Sequence, residues 1–158
     1  MQIITLDVHD IADVKRIARL RVQYCRQVKA GYTPYFHGDR LEHEVNSFGA
    51  EVAFCKLAGA APDMNPRHFM TYDAIVNGMR VDVKHTVLFN GCLQAKASKN
   101  WKTVPDYFVL MVGRLPTYSF CGYMRADELL RHARIDNSKR QLTPVYTARQ
   151  DELRPELY

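Results

Sequence analysis

The 158-residue chain reads as one α/β domain, a mixed central β-sheet flanked by helices. Three observations predict that class. Two long segments in the first third repeat apolar residues every three to four positions, the period of amphipathic helices. An Asn77-Gly78 dipeptide then separates two runs rich in β-branched and apolar residues, the strongest short-range signal of a two-residue hairpin. Finally, Tyr107-Phe108-Val109-Leu110-Met111-Val112 is apolar on both alternating faces, as in a strand buried in the middle of a sheet.

Composition bounds the rest. A hydrophobic share of 47% with 25% charged residues is that of an ordinary globular chain, long enough for one proper core. The net charge of +5 favours an anionic partner such as nucleic acid. Cys25, Cys55, Cys92 and Cys121 form no C-x-x-C pair, and no histidine pairs with a cysteine at zinc-ligand spacing, so a structural zinc site is not expected. With no leader pattern and no apolar run that could span a bilayer, the expectation is a cytoplasmic protein with reduced thiols and no membrane partner.

Taken in order, residues 2–6 suit a short strand or an ordered entry. Asp10 is placed to cap a helix running to about Ala30 and stopped by Gly31, with Ile11, Val14, Ile17, Ala18, Cys25 and Val28 inward. Its other sides carry Lys15, Arg16, Arg19, Arg21, Arg26 and Lys29. That basic surface, Arg16 and Arg19 above all, is the first candidate for phosphate contacts. A loop with Pro34 and three aromatic residues follows. A second helix is predicted from Asp39 to about Leu57, ending near Gly59, with Leu41, Val45, Phe48, Val52 and Cys55 as its buried stripe. Glu51 borders that stripe among small residues (Gly49, Ala50, Ala53) that allow a neighbouring strand to approach closely. Glu44 lies two turns earlier on a similar side.

In the hairpin, a strict two-residue turn sets Val76 opposite Met79, Ala74 opposite Val81 and Asp73 opposite Asp82. Tyr72, Ala74, Val76, Met79, Val81 and Val83 then form a core face, and Asp73, Ile75, Arg80, Asp82 and Lys84 the other. Like charges directly opposed repel, so two carboxylates at such a spot are either mispaired or have a cation between them. Hard oxygen ligands at that spacing suit Mg²⁺ or Mn²⁺. Lys84, two residues beyond Asp82, points to the same side, where it can hold a water beside the ion, while His85 points the other way.

Asp73 followed by Asp82-Val83-Lys84 on the next strand, after a helix carrying Glu51, resembles the active-site hairpin of the PD-(D/E)XK nuclease superfamily, with Tyr72 where the family's name has proline. The resemblance covers about residues 39–134 and implies a restriction-endonuclease-like core, with residues 1–38 as a basic N-terminal helix and loop and 135–158 as a C-terminal extension. It implies a divalent-metal-dependent endonuclease acting on DNA, with Glu51, Asp73, Asp82 and Lys84 catalytic. Asp73, Asp82 and the carbonyl of Val83 would hold the metal, leaving a 5′-phosphate and a 3′-hydroxyl. In size and layout the chain looks like the small nucleases of phage and mobile-element genomes. Two alternatives stay open: a junction resolvase of the same fold, working as a homodimer, and a nucleic-acid-binding or inhibitor protein that uses the fold without cleavage. Exposed, merely structural carboxylates are a further reading.

Beyond the hairpin, a second Asn-Gly pair, Asn90-Gly91, predicts a third strand over residues 92–95 returning antiparallel to the Asp82 strand, with Gln94 on either face depending on a bulge. Lys96, Lys99 and Lys102 around Trp101 form a basic aromatic patch suited to phosphate contact. Asp106 is expected to cap or turn the entry to the central strand rather than to catalyse. A strand over residues 118–123, a helix over 126–133 with Asp127 and Glu128 in its first turn, an edge strand within 142–146 and a tail folded against the body complete the reading.

Overall fold

The computed structural model describes residues 1–27, 39–67, 71–96, 104–132, 134–136 and 145–156. The loop at 31–38, the expected end of the first helix at 28–30, the segment carrying Lys99, Trp101 and Lys102, and the loop at 137–140 lie outside the described residues.

The first strand, β1 (Gln2–Thr5), leads into α1 (Val8–Gln27). Here the expected cap is corrected. Asp7, not Asp10, caps α1: its Oδ1 accepts the N–H groups of His9 (2.9 Å) and Asp10 (3.0 Å), and Asp10 Oδ2 accepts the N–H of Asp7 (3.1 Å). An acid at the third helical position thus closes a reciprocal capping box, and Asp10 is its second member. The next helix, α2 (Arg40–Ala58), begins as expected, with Asp39 Oδ1 accepting the N–H of Leu41 at 2.8 Å, and it ends at Gly59. Lys56 bonds both Asp7 (2.9 Å) and Asp10 (2.5 Å), tying the end of α2 to the start of α1.

Asn77 and Gly78 have φ of 50° and 79°, the left-handed pair that a two-residue hairpin turn demands. They join β2 (Ala74–Val76) to β3 (Met79–Thr86) in the expected register, Val76 facing Met79 and Ala74 facing Val81. The ladder stops there, and Asp73 lies outside it.

The second Asn-Gly pair behaves differently. Gly91 has no left-handed backbone; its N–H closes a turn onto Leu88 O (2.9 Å). A Cβ on Gly91 would lie 2.4 Å from Thr86 Cγ2, so glycine is required by close approach rather than by φ. The strand that follows, β4 (Leu93–Lys96), therefore does not return along β3. It pairs antiparallel with β8 (Val145–Ala148), and β8 pairs with β7 (Arg134–Asp136), forming a separate three-stranded sheet in the order β4-β8-β7. The expected edge strand is thus the middle strand of this sheet. β7 falls between the helix expected to end at 133 and the loop expected over 137–140, where no strand was expected.

The neighbour of β3 opposite β2 is β5 (Tyr107–Arg114), which runs parallel to it. β5 is central and buried from Phe108 to Val112, as its two-sided apolar pattern requires. β6 (Thr117–Arg125) and β1 complete the mixed five-stranded sheet β1-β6-β5-β3-β2. Asp106 takes the entry role expected of it, accepting from Arg80 N (2.8 Å) and Nη2 (3.1 Å), while its carbonyl receives the N–H of Ala126 at the head of α3 (Ala126–His132). The tail folds back as a 3-10 turn (Gln150–Glu152) and bridges Tyr123 through Arg154.

The central sheet is covered on both faces. Val81, Val83, Val109 and Met111 pack with Val14, Ile17, Phe48 and Phe54 of the helices, and Phe108, Leu110 and Val112 with Leu93, Ala95, Leu129 and Ala148 of the small sheet and α3. The small residues of α2 serve close packing as predicted: a Cβ on Gly49 would lie 2.2 Å from the Tyr118 hydroxyl of β6. No helix among the described residues is long and apolar enough to cross a membrane.

Candidate active site at the edge of the Asp82 strand

Alternation and register decide which side chains meet. In the parallel ladder Asp82 pairs with Phe108 and Lys84 with Leu110, so both charged residues share the face that looks toward the small sheet. Asp82 is only 5% exposed, and its Oδ1 accepts a bond from Lys84 Nζ at 2.5 Å. The ammonium also lies 5.8 Å from the centre of the Phe108 ring. A buried carboxylate on that apolar face requires such a partner, since an isolated buried charge is costly. Asp82 is therefore not a merely exposed carboxylate, while Asp73 is half-buried.

Asp73 reaches the same strand by another route. Its N–H donates to Val81 O (2.8 Å), the residue already facing Ala74, so it does not continue the ladder to sit opposite Asp82. Its Oδ2 instead accepts the N–H of Val83 at 2.7 Å, taking the place of the next ladder bond where β2 has ended. In a strand the N–H and C=O of one residue point the same way, so the Val83 carbonyl also faces this edge. Like-charge repulsion is thus relieved by displacement: one acid binds a backbone N–H, the other an ammonium. Asp73, Asp82 and Val83 O form a set of hard oxygen donors on consecutive residues of one strand and its edge, which fits Mg²⁺ or Mn²⁺ in kind. Among the described residues, no group of three or more His, Cys, Asp or Glu side chains is arranged to hold a metal ion.

Glu51 enters from the helix side. Its carboxylate accepts two bonds from Arg21 Nη1, at 3.1 and 3.3 Å, and Arg21 Nη2 donates to Asp63 O at 3.1 Å. Arg21 also lies 3.5 Å from Glu44 and 4.1 Å from the Phe48 ring centre. It was read as part of the basic surface of α1, yet it is buried, because two acids of α2 draw it into the helix interface. Glu51 and Asp73 act together on Cys55, whose thiol is pushed up to about 12, first by burial and then by these two negative charges. Arg16 and Arg19 are exposed on α1, on the helix side of the sheet and so across it from Lys84, and Arg16 pairs with Asp13 at 2.9 Å. His85 points to the helix side as expected, bonding Gly113 O at 2.9 Å, and burial holds its imidazole below the ordinary value.

Two clefts flank the strand edge. One, of about 560 Å³, runs past Asp73 and is lined by Asp63, Asn65, Arg67 and Tyr72. The other, of about 310 Å³, contains Lys84 with Thr86, Leu88, Cys92 and Gln94. Gln94 and Lys96 occupy the outward positions of β4, while Leu93 and Ala95 are buried. Sequence reasoning missed Arg67. Its one local signal is a cation in the loop six residues before Asp73. An apolar cleft of about 330 Å³ lies at the turn end of the hairpin, between Phe54, Met79, Tyr107 and Tyr123, away from these charges. Compared with known proteins, the chain matches no family model and no curated protein.

Proposed function

We propose that the chain is a divalent-metal-dependent endonuclease that hydrolyses phosphodiester bonds in DNA. The observation that carries this reading is the bond from Val83 N–H to Asp73, which ties a second carboxylate to the residue between Asp82 and Lys84 despite the early end of β2. Asp73, Asp82 and the Val83 carbonyl would hold the ion. When bound, it supplies a water of lowered pKa and positive charge beside the scissile phosphate. Lys84 turns between the Asp82 carboxylate and the attacking water, orienting that water and donating to a phosphate oxygen. Glu51, held by Arg21, fixes the α2 side of the site behind Asp73. Arg67 and Lys96, in or beside the two clefts, receive the flanking phosphates. The restriction-endonuclease-like core belongs to this same proposal, supported by a helix bearing Glu51 that precedes an antiparallel hairpin bearing the other three residues.

The test is incubation with supercoiled plasmid in Mg²⁺ or Mn²⁺, with EDTA as control, beside Asp82→Asn and Lys84→Gln, each checked by thermal melting. Metal-dependent nicking that falls by at least about 10²-fold in both folded variants is the expected result. Absence of both cleavage and calorimetric metal binding would sink the proposal. The second reading is a non-cleaving nucleic-acid-binding protein, favoured by the mutual pairing of Asp82 and Lys84 at 2.5 Å. It expects DNA binding to be unchanged in Asp82→Asn.

A further inference from the structure

Immediately beyond the Lys84 strand, the chain presents apolar side chains to solvent on a braced turn. Leu88 is 63% exposed and Phe89 79%. The backbone beneath them is bonded on both sides. Leu88 N–H donates to Thr86 Oγ1 (3.2 Å), Gly91 N–H to Leu88 O (2.9 Å), and Gln150 Nε2 to the carbonyls of Phe89 (2.8 Å) and Gly91 (3.0 Å). Ordering a turn this firmly while leaving its large apolar residues in water is costly unless something covers them.

The surroundings indicate the occupant. Leu88 lines the same cleft as Lys84 and Gln94, and Lys96 extends the outward row of β4 that begins with Gln94. Phe89 follows Leu88 directly, and a planar apolar ring one residue from a cleft that holds ammonium and amide groups matches a nucleobase joined to its phosphate. Inside a duplex both faces of a base are covered by its neighbours, so only an unstacked base offers a face to the ring. We propose that Phe89, backed by Leu88, stacks on an unpaired base of single-stranded or locally opened DNA, whose backbone then passes through the Lys84 cleft. This inference rests on the nuclease reading and names its substrate class.

The experiment is fluorescence anisotropy in EDTA with a labelled single-stranded oligonucleotide and the duplex of the same sequence, for wild type, Phe89→Ala and Leu88→Ala. Wild type is expected to prefer the single strand. Phe89→Ala should lose roughly tenfold of single-strand affinity, the effect of one stacked base, with duplex affinity and melting temperature unchanged. Equal affinity for the two DNAs, or wild-type binding by Phe89→Ala, overturns the inference. So does a wild-type dimer that Phe89→Ala converts to a monomer without change in DNA binding, which would assign the turn to contact between copies. Because binding is read without metal, Phe89-dependent single-strand binding in a protein that never cleaves would remove the catalytic reading and leave this one standing. Cleavage with no Phe89 effect would do the reverse.

Discussion

Two carboxylates, the half-buried Glu51 and the buried Asp82, sit beside cations on opposite sides of the central sheet, and they are held in different ways. On the helix side, Glu51 meets a guanidinium that also binds Asp63 O and lies over Phe48, so Arg21 joins α1, α2 and the loop that feeds the hairpin. On the other side, Asp82 meets a lysine two residues away on its own strand. The first pair connects elements that are distant in sequence. The second lies within β3, with its ammonium 5.8 Å from the centre of the Phe108 ring on β5. A planar fork with several donors suits permanent ties, whereas a flexible point charge that can leave its partner suits chemistry. Here the geometry separates a structural ion pair from a candidate functional one, although each is an acid drawn out of solvent beside a base.

The comparison is broken or sharpened by three measurements. The largest effect expected is at Arg21. Arg21→Ala strands Glu51 in the helix interface and should cost about 3 kcal/mol or more in chemical denaturation. Lys84→Ala should cost about 1–2 kcal/mol, because the Lys84 side chain is 29% exposed and water can enter in its place to hydrate Asp82. Equal losses would erase the distinction drawn between the two pairs.

Next come the two Asn-Gly turns at the ends of β3. Gly91→Ala forces a Cβ to 2.4 Å from Thr86, and overpacking of this kind should cost about 1–3 kcal/mol. Gly78→Ala meets nothing within 4 Å and carries only the left-handed strain of about 1 kcal/mol. Melting curves showing Gly78→Ala as the more damaging would mean that backbone conformation, not close approach, dominates at both sites.

The smallest effect is in acid. Hydrogen bonds from Arg80 hold Asp106 below its ordinary value of 3.8, so its stabilising contribution is complete above that pH and is lost as pH falls through the folded value. Melting temperature should therefore drop less steeply below about pH 4 in Asp106→Asn than in wild type. Parallel slopes would show that the Arg80 bonds contribute no pH-dependent stability.

Much of this was legible beforehand where a residue's own backbone demands decide. Asn77-Gly78 specified its turn and register, Asp39 its helix start, and the two-sided apolar run at Tyr107–Val112 its central place, all from neighbours close in sequence. Legibility ended where several partners could satisfy the same local pattern. Asn90-Gly91 carries the same dipeptide as Asn77-Gly78, yet packing against Thr86 turned it into a different connection and sent β4 to β8. Both Asp7 and Asp10 can cap a helix, and their reciprocal bonding set the start. Arg21 has nothing in its immediate sequence to mark it as buried; Glu44 and Glu51, more than twenty residues away, decide that.

For the candidate site the division is similar. The sequence by itself determined that Asp82 and Lys84 share a face, because a strand alternates with period two, and that Asp73 precedes them across a tight turn. Only the tertiary structure decided that Asp73 binds the Val83 amide instead of facing Asp82, that Asp82 is buried, that Glu51 is held by Arg21, and that Leu88 and Phe89 stand exposed with Leu88 in the wall of the Lys84 cleft. Turn dihedrals and alternation are properties of adjacent residues. Burial, partner choice and exposure depend on which distant segment occupies the neighbouring space, and that is settled only when both faces of the sheet are covered.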